Sequence, residues 1–103
     1  MKELSPVLAR SEGSLVFGCP GCRNWHIINV DVAERPQWSW DGNAEAPTFS
    51  PSVLANGPGP YHVPAFPTCH SFVRSGQIEF LGDCTHAFAG RTVPIPRWDE
   101  EFD

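Results

Sequence analysis

Proline and glycine punctuate this chain from Pro6 to Pro96, 11 of one and 9 of the other in 103 residues. A proline removes a backbone donor and fixes its own φ, and turns draw on both residues, so long helices are disfavoured. Short strands joined by turns remain. The length suits one domain and leaves no room for two. A domain this small buries only part of its unfolded surface, and a disulfide or metal staple adds much to it. The expectation is a mainly β fold: a small single domain over residues 1–103, built of short strands and hairpins and stapled by a metal. Its ends, 1–12 and 99–103, are expected to fray.

Cysteine usage chooses the staple. The four cysteines are Cys19, Cys22, Cys69 and Cys84. The first ten residues show no apolar run after Lys2, so no signal peptide is expected, and no stretch approaches the roughly 20 apolar residues that span a bilayer. A cytoplasmic protein is expected, where disulfides are rare and paired cysteines are more often metal ligands. The net charge is −5, but four of the twelve acids are Asp99, Glu100, Glu101 and Asp103, which leaves seven bases against eight acids elsewhere. No basic run is available to neutralise phosphates, so neither nucleic acid nor membrane is an expected partner.

Along the chain, Leu15–Phe17 reads as a short strand and residues 25–32 (WHIINVDV) as the next, forming a hairpin with Cys19–Cys22 at its tip. In residues 36–40, Trp38 and Trp40 share a face by period-two alternation. Residues 47–54 (PTFSPSVL) carry two prolines in an extended run, which suits an edge strand or crossing segment. Residues 55–67 read as a long loop holding Tyr61 and His62. Residues 69–82 form the clearest hairpin, with Ser75-Gly76 as a two-residue turn. This register sets Val73 opposite Ile78 and Ser71 opposite Phe80. Cys69, Ser71 and Val73 then share the core face, while His70 and Phe72 share the other face with Glu79 and Leu81. Asp83 suits the N-cap of one short helical turn over 84–89, stopped by Gly90. The expected core aromatics are Trp38, Trp40, Phe49, Phe72 and Phe80.

Cys19-Pro20-Gly21-Cys22 is the sharpest local signal. A two-residue spacer of Pro and Gly makes a knuckle that aims both sulfurs at one ion, and Zn2+ accepts sulfur and nitrogen in a tetrahedral shell. A redox CxxC usually opens a helix, whereas this one precedes a β pattern. The remaining ligands come from Cys69, His70, Cys84 and His86, with Cys69 first because it faces the core. Cys84 and His86 are rivals for the fourth position, and His70 is a further alternate. His26 and Asp83 are expected beside the ligands rather than among them.

Three blocks, CPGC with a histidine four residues on, WSWDGNAEAPTFSPSVL, and CHSFVRSGQIEFLGDCTHAFAGRTVPIP, resemble a family of small phage- and prophage-encoded proteins of unknown function, some labelled "ammonia monooxygenase". The resemblance spans roughly Cys19 to Pro96. Its Asp-x-Thr-His pattern falls on Asp83, Thr85 and His86 and implies His86 as the fourth ligand. It implies a phage or prophage origin and no activity. The oxygenase label fails, because a membrane copper oxygenase needs spanning helices.

Two functions are expected in order. The first is a binding or accessory module with a structural zinc, free in the host cytoplasm or associated with a virion, whose partner is a host or phage protein; no catalytic residue is then required. The second is a zinc-dependent hydrolase using His70, Asp83 and His86 around an open metal position, with Ser50 or Ser52 nearby.

Overall fold

The computed structural model describes residues 1–99. Nine strands follow in chain order: β1 Lys2–Glu3, β2 Ala9–Ser11, β3 Ser14–Cys19, β4 Asn24–Asn29, β5 Ser39–Trp40, β6 Phe49–Ala55, β7 Cys69–Arg74, β8 Gln77–Phe80 and β9 Thr92–Pro94. They make two antiparallel sheets, β1-β2-β3-β4 and β5-β6-β7-β8-β9. The expected mainly β architecture of short strands and hairpins is the one observed, and no helix is formed among the described residues.

The first sheet is a run of hairpins. β3 and β4 pair from Ser14↔Asn29 to Cys19↔Asn24, which puts the Cys-Pro-Gly-Cys knuckle at their tip. The second strand ends at Asn29 rather than continuing to Val32. The expected fraying of residues 1–12 is not seen. Leu8 and Ala9 are fully buried, and Ser5 Oγ accepts the N–H groups of Val7 and Leu8, a local turn that brings β1 back onto β2. The acidic end expected to fray lies, beyond Asp99, outside the described residues.

The second sheet centres on the β7–β8 hairpin, whose register sets Val73 against Ile78 and Ser71 against Phe80. Ser75 and Gly76 both take positive φ, 50° and 75°. That pair is the conformation a two-residue hairpin turn of matching twist requires. Period two then divides β7 cleanly: Cys69, Ser71 and Val73 are buried, while His70 and Phe72 lie on the outer face. Phe72 is therefore not a core residue. It is half-buried, with the Arg74 guanidinium 4.2 Å above its ring.

Strand β6 is the irregular member. Phe49 pairs with Val73 and Val53 with Ser71, so Ser50, Pro51 and Ser52 together face Phe72 alone. Pro51 has no N–H to give a ladder, and the extra residues bulge outward. β6 is flanked on both sides, but β5 covers only Phe49 and Ser50. Its C-terminal half is thus the edge strand that its prolines suggest.

The core lies where the sheets meet. Leu8, Leu15, Phe17 and Ile28 from the first pack with Phe49, Val53, Val73, Ile78 and Phe80 from the second. The rings of Phe17 and Phe49 stack across this boundary at 6.1 Å. Each such buried side chain contributes about 1.5–3 kcal/mol. Trp38 and Trp40 pack on the margin of this cluster, partly buried. Cys84 and Thr85 are irregular and a bend at His86 leads into a turn over 87–90, with Ala89 N–H on His86 C=O at 3.4 Å, in place of the expected helical turn.

Candidate active site and metal centre

Two short segments contribute to both sites. The first is Thr68-Cys69-His70, entering β7. The second is Asp83-Cys84-Thr85-His86, after β8. Thr68 and Thr85 tie them together, with Thr68 N–H donating to Thr85 Oγ1 at 2.8 Å and Thr85 N–H donating to Thr68 C=O at 3.0 Å.

On the outer face of the second sheet, the His70 ring lies between Ser52 and Asp83. Ser52 Oγ is 3.1 Å from His70 Nε2, and His70 Nδ1 is 3.0 Å from Asp83 Oδ2 and 3.3 Å from Oδ1. A carboxylate can only accept here, so it selects the tautomer with the proton on Nδ1. Nε2 is then a lone pair aimed at the Ser52 hydroxyl. This is the arrangement of nucleophile, base and orienting carboxylate that acyl transfer requires.

Each member is held by its backbone. The β6 bulge brings Ser52 out beside His70, and the Trp38 indole N–H donates to Ser52 C=O at 3.2 Å. Cys84 Sγ brackets His70, accepting its N–H and donating to its C=O, both at 3.2 Å. Asp83 sits in the turn after β8, where Leu81 N–H donates to His70 C=O at 2.9 Å. Asp83 therefore caps no helix. Its carboxylate orients His70.

Behind the same strand, Cys19, Cys22, Cys69 and His86 bring one ligand atom each to within 4.8 Å of all the others, a cluster able to hold a metal ion. Cys19 and Cys69 sulfurs are 4.0 Å apart. A tetrahedral ion with metal–sulfur bonds of about 2.3 Å needs ligand separations of about 3.8 Å, so the residues fit such an ion. His86 Nε2 is buried with no hydrogen-bond partner. The ring stands edge-on to Phe80 at 4.8 Å, and a Cβ on Gly21 would fall 2.3 Å from its Cε1. Glycine in the knuckle is what lets the imidazole reach the sulfurs.

Three thiols this close cannot all ionise unaided. Cys19 is held far below the ordinary thiol range by hydrogen bonds from Cys22 and then Cys69. In turn Cys69 is driven well above that range, and Cys22 is pushed up to about 12, chiefly because Cys19 takes the charge. Burial lowers the His86 pKa, which favours the neutral ring. A bound cation removes the conflict among the sulfurs, since it favours every ligand in its deprotonated form.

The residues expected around a metal thus separate into two groups. Cys19, Cys22, Cys69 and His86 converge. The alternates do not: Cys84, 7% exposed, holds the His70 backbone, and His70 points to the opposite side. His26 flanks the cluster, its Nε2 3.7 Å from Cys22 Sγ. Asp83, expected beside the ligands, is engaged with His70 instead. The sequence reading puts Ser50 or Ser52 near His70 and Asp83 but gathers them around an open metal position, whereas the structure joins Ser52, His70 and Asp83 to one another on the face opposite the cysteine cluster. The signal for it is the proline inside the TFSPS strand pattern, which marks a bulge and hence a displaced side chain.

Residues 2–81 match the family described as "Bacterial ubiquitination-like system serine protease (BubE)", and the chain belongs to that family. The match includes Ser52, His70, Cys19, Cys22 and Cys69, and ends before Asp83 and His86. No curated protein and no solved structure matches the chain. This family overturns the expected phage-type binding or accessory function. The alternative of a zinc-dependent hydrolase is no better supported, since His86 joins the metal cluster while His70 and Asp83 turn to Ser52. No helix among the described residues is long and apolar enough to cross a membrane.

Proposed function

We propose that this chain is a serine hydrolase that cleaves an acyl bond, peptide or ester, in a bacterial ubiquitination-like system, and that its metal is a structural Zn2+. The observation that carries the reading is the Ser52–His70–Asp83 chain of hydrogen bonds. The family description, a serine protease, supports it from an independent direction. Free thiols at all four cysteines suit a reducing cytoplasm.

In this mechanism Ser52 Oγ attacks the substrate carbonyl carbon while its proton passes to His70 Nε2. Asp83 holds Nδ1–H and stabilises the imidazolium that forms. Collapse of the tetrahedral adduct breaks the bond to the leaving group, which takes the proton from Nε2. Water then attacks the Ser52 ester with His70 again as base, releasing the acid and restoring the hydroxyl. Zn2+ would be held by Cys19, Cys22, Cys69 and His86, where it supplies folding energy as a closed four-ligand centre. Sulfur donors and the lone imidazole suit zinc over calcium or magnesium.

The test is a fluorophosphonate probe, which phosphonylates only an activated serine. Labelling confined to Ser52, lost in Ser52→Ala and His70→Ala and retained in Ser50→Ala, is the expected result. A folded, metal-loaded chain that takes no label, or a Ser52→Ala variant that still does, overturns the assignment.

A further inference from the structure

The nucleophile lies beside an open strand edge. The β5–β6 pairing ends at Ser39↔Ser50, so among the described residues no strand pairs with β6 beyond Ser50 on that side. Backbone groups alternate direction with period two along a strand. Thr48 C=O points to the β5 side, where it accepts Asp41 N–H at 3.2 Å, and Ser52 C=O points the same way, where it accepts the Trp38 indole at 3.2 Å. Leu54 is the next residue in that phase. Its N–H and C=O face outward from the edge, while its side chain stands across from His70 on the face that carries Ser52.

The free edge is short and closed at both ends. At its start the Trp38 indole already takes Ser52 C=O. At its far end the loop 56–67 folds back, with the Asn56 amide donating to the carbonyls of Val63 and Phe66, both at 2.9 Å. One outward donor–acceptor pair, that of Leu54, is left two residues from the nucleophile. Leu54 itself is 51% exposed, and the half-buried Phe72 lies on the same face.

We propose that the acyl part of the substrate binds as an extended segment added antiparallel to this edge. The third residue before the scissile bond pairs its N–H and C=O with the C=O and N–H of Leu54. An antiparallel segment runs from Leu54 toward Ser52, so two residues later its carbonyl arrives at Ser52 Oγ. The inference rests on Ser52 as nucleophile, and it identifies the substrate as an uncoiled chain end or linker rather than a folded surface.

The experiment uses the metal-loaded chain and three esters: p-nitrophenyl acetate, the p-nitrophenyl ester of acetyl-Ala-Ala-Ala-Gly, and that peptide ester N-methylated at one residue at a time. N-methylation of the third residue before the ester removes the donor to Leu54 C=O and should lower kcat/KM about tenfold, the worth of one good hydrogen bond. N-methylation of the second residue, whose N–H faces away from the edge, should change it by no more than about twofold. Equal effects at both positions, or a peptide ester no better than the acetate, overturn the edge proposal while Ser52-dependent turnover of the acetate preserves the nucleophile. Turnover that survives Ser52→Ala, or none at all in the native chain, refutes the nucleophile and the edge proposal with it.

Discussion

Replacing Cys84 with alanine asks whether the base of the triad is held from behind by a thiol that binds no metal. Cys84 Sγ accepts His70 N–H and donates to His70 C=O, both at 3.2 Å. The carbonyl also accepts Leu81 N–H at 2.9 Å, so it keeps a partner in the variant, whereas the amide does not. Stranding one amide costs about 1–3 kcal/mol. The lost sulfur leaves an atom-sized void at a buried position, for roughly 1 kcal/mol more. A total of about 2–4 kcal/mol lowers Tm by about 10–30 °C in a domain of this size. The strand carrying His70 also loosens. A displacement approaching 1 Å at the base costs up to about a hundredfold in kcat. The assay is calorimetry, zinc per chain and ester hydrolysis on one preparation. Zinc should remain at one equivalent while Tm and kcat both fall, and Cys84→Ser, whose hydroxyl can still accept the amide, should recover part of each. Loss of zinc would make Cys84 a ligand and refute the division of the two sites. An unchanged Tm would refute the bracket.

Four further outcomes follow from the geometry. Ser52→Ala should reduce hydrolysis by about a thousandfold or more with Tm and zinc content unmoved; activity within tenfold of the native chain refutes the nucleophile. Asp83→Asn should cost about 10⁴ in kcat by favouring the wrong His70 tautomer, and zinc analysis should read one per chain, since loss of metal would mean that Asp83 serves the cluster. Cys22→Ser, or removal of zinc by a chelator, should unfold the chain, because apparent zinc-binding energies of about 10–16 kcal/mol match or exceed a small domain's entire stability; native-like circular dichroism without metal refutes a structural role. Acidification should destabilise the folded state. Burial sets the folded pKa of His86 below its ordinary value of 6.5, so the unfolded chain binds more protons and stability falls as pH drops below that value. The thiolate ligands of a bound metal act in the same direction, so Tm should decline together with zinc release, and a Tm that rises on acidification contradicts the site.

The hairpins were legible because their signals are local. Ser75-Gly76 fixes one register and Cys19–Cys22 the tip of another, and alternation along β7 sends Cys69 in and His70 out without reference to the rest of the fold. The convergence of Cys19, Cys22, Cys69 and His86 was legible for the same reason: sulfur at a tight turn has few other uses. Phe72 was misread because its neighbours fix its face, but not that this face of the sheet is left partly open. Residues 1–12 were misread because nothing local announces that Ser5 turns the chain so that Leu8 enters the core. Asp83 was misread because an acid before a run of small residues satisfies the N-cap rule whether or not a helix follows. The triad is the least legible feature. Ser52 meets His70 only through a bulge that sets three residues of β6 against one of β7, and pairing registers between strands 18 residues apart are not written in either strand.

The two sites share their supports, and under the proposed function this gives a small serine hydrolase a use for a bound metal. Cys69 and His70 are neighbours on β7 that point to opposite faces, and Asp83 and His86 lie three residues apart in one turn region. An ion held by the cluster would fix Cys69 relative to His86. Across the same two segments, that constraint also fixes His70 relative to Asp83, whose contact of 3.0 Å is the one that orients the base. The Thr68–Thr85 pair of hydrogen bonds and the Cys84 bracket lie between the two constraints and transmit one to the other. A larger enzyme can hold a His–Asp contact with the mass of its core. Here the second segment is a set of turns with little regular structure of its own, and an isolated hydrogen bond contributes only about 1 kcal/mol to keeping it in place. Coordination of Cys69 and His86 by one ion would supply the stiffness that the turns lack, so the metal would serve catalysis without touching substrate.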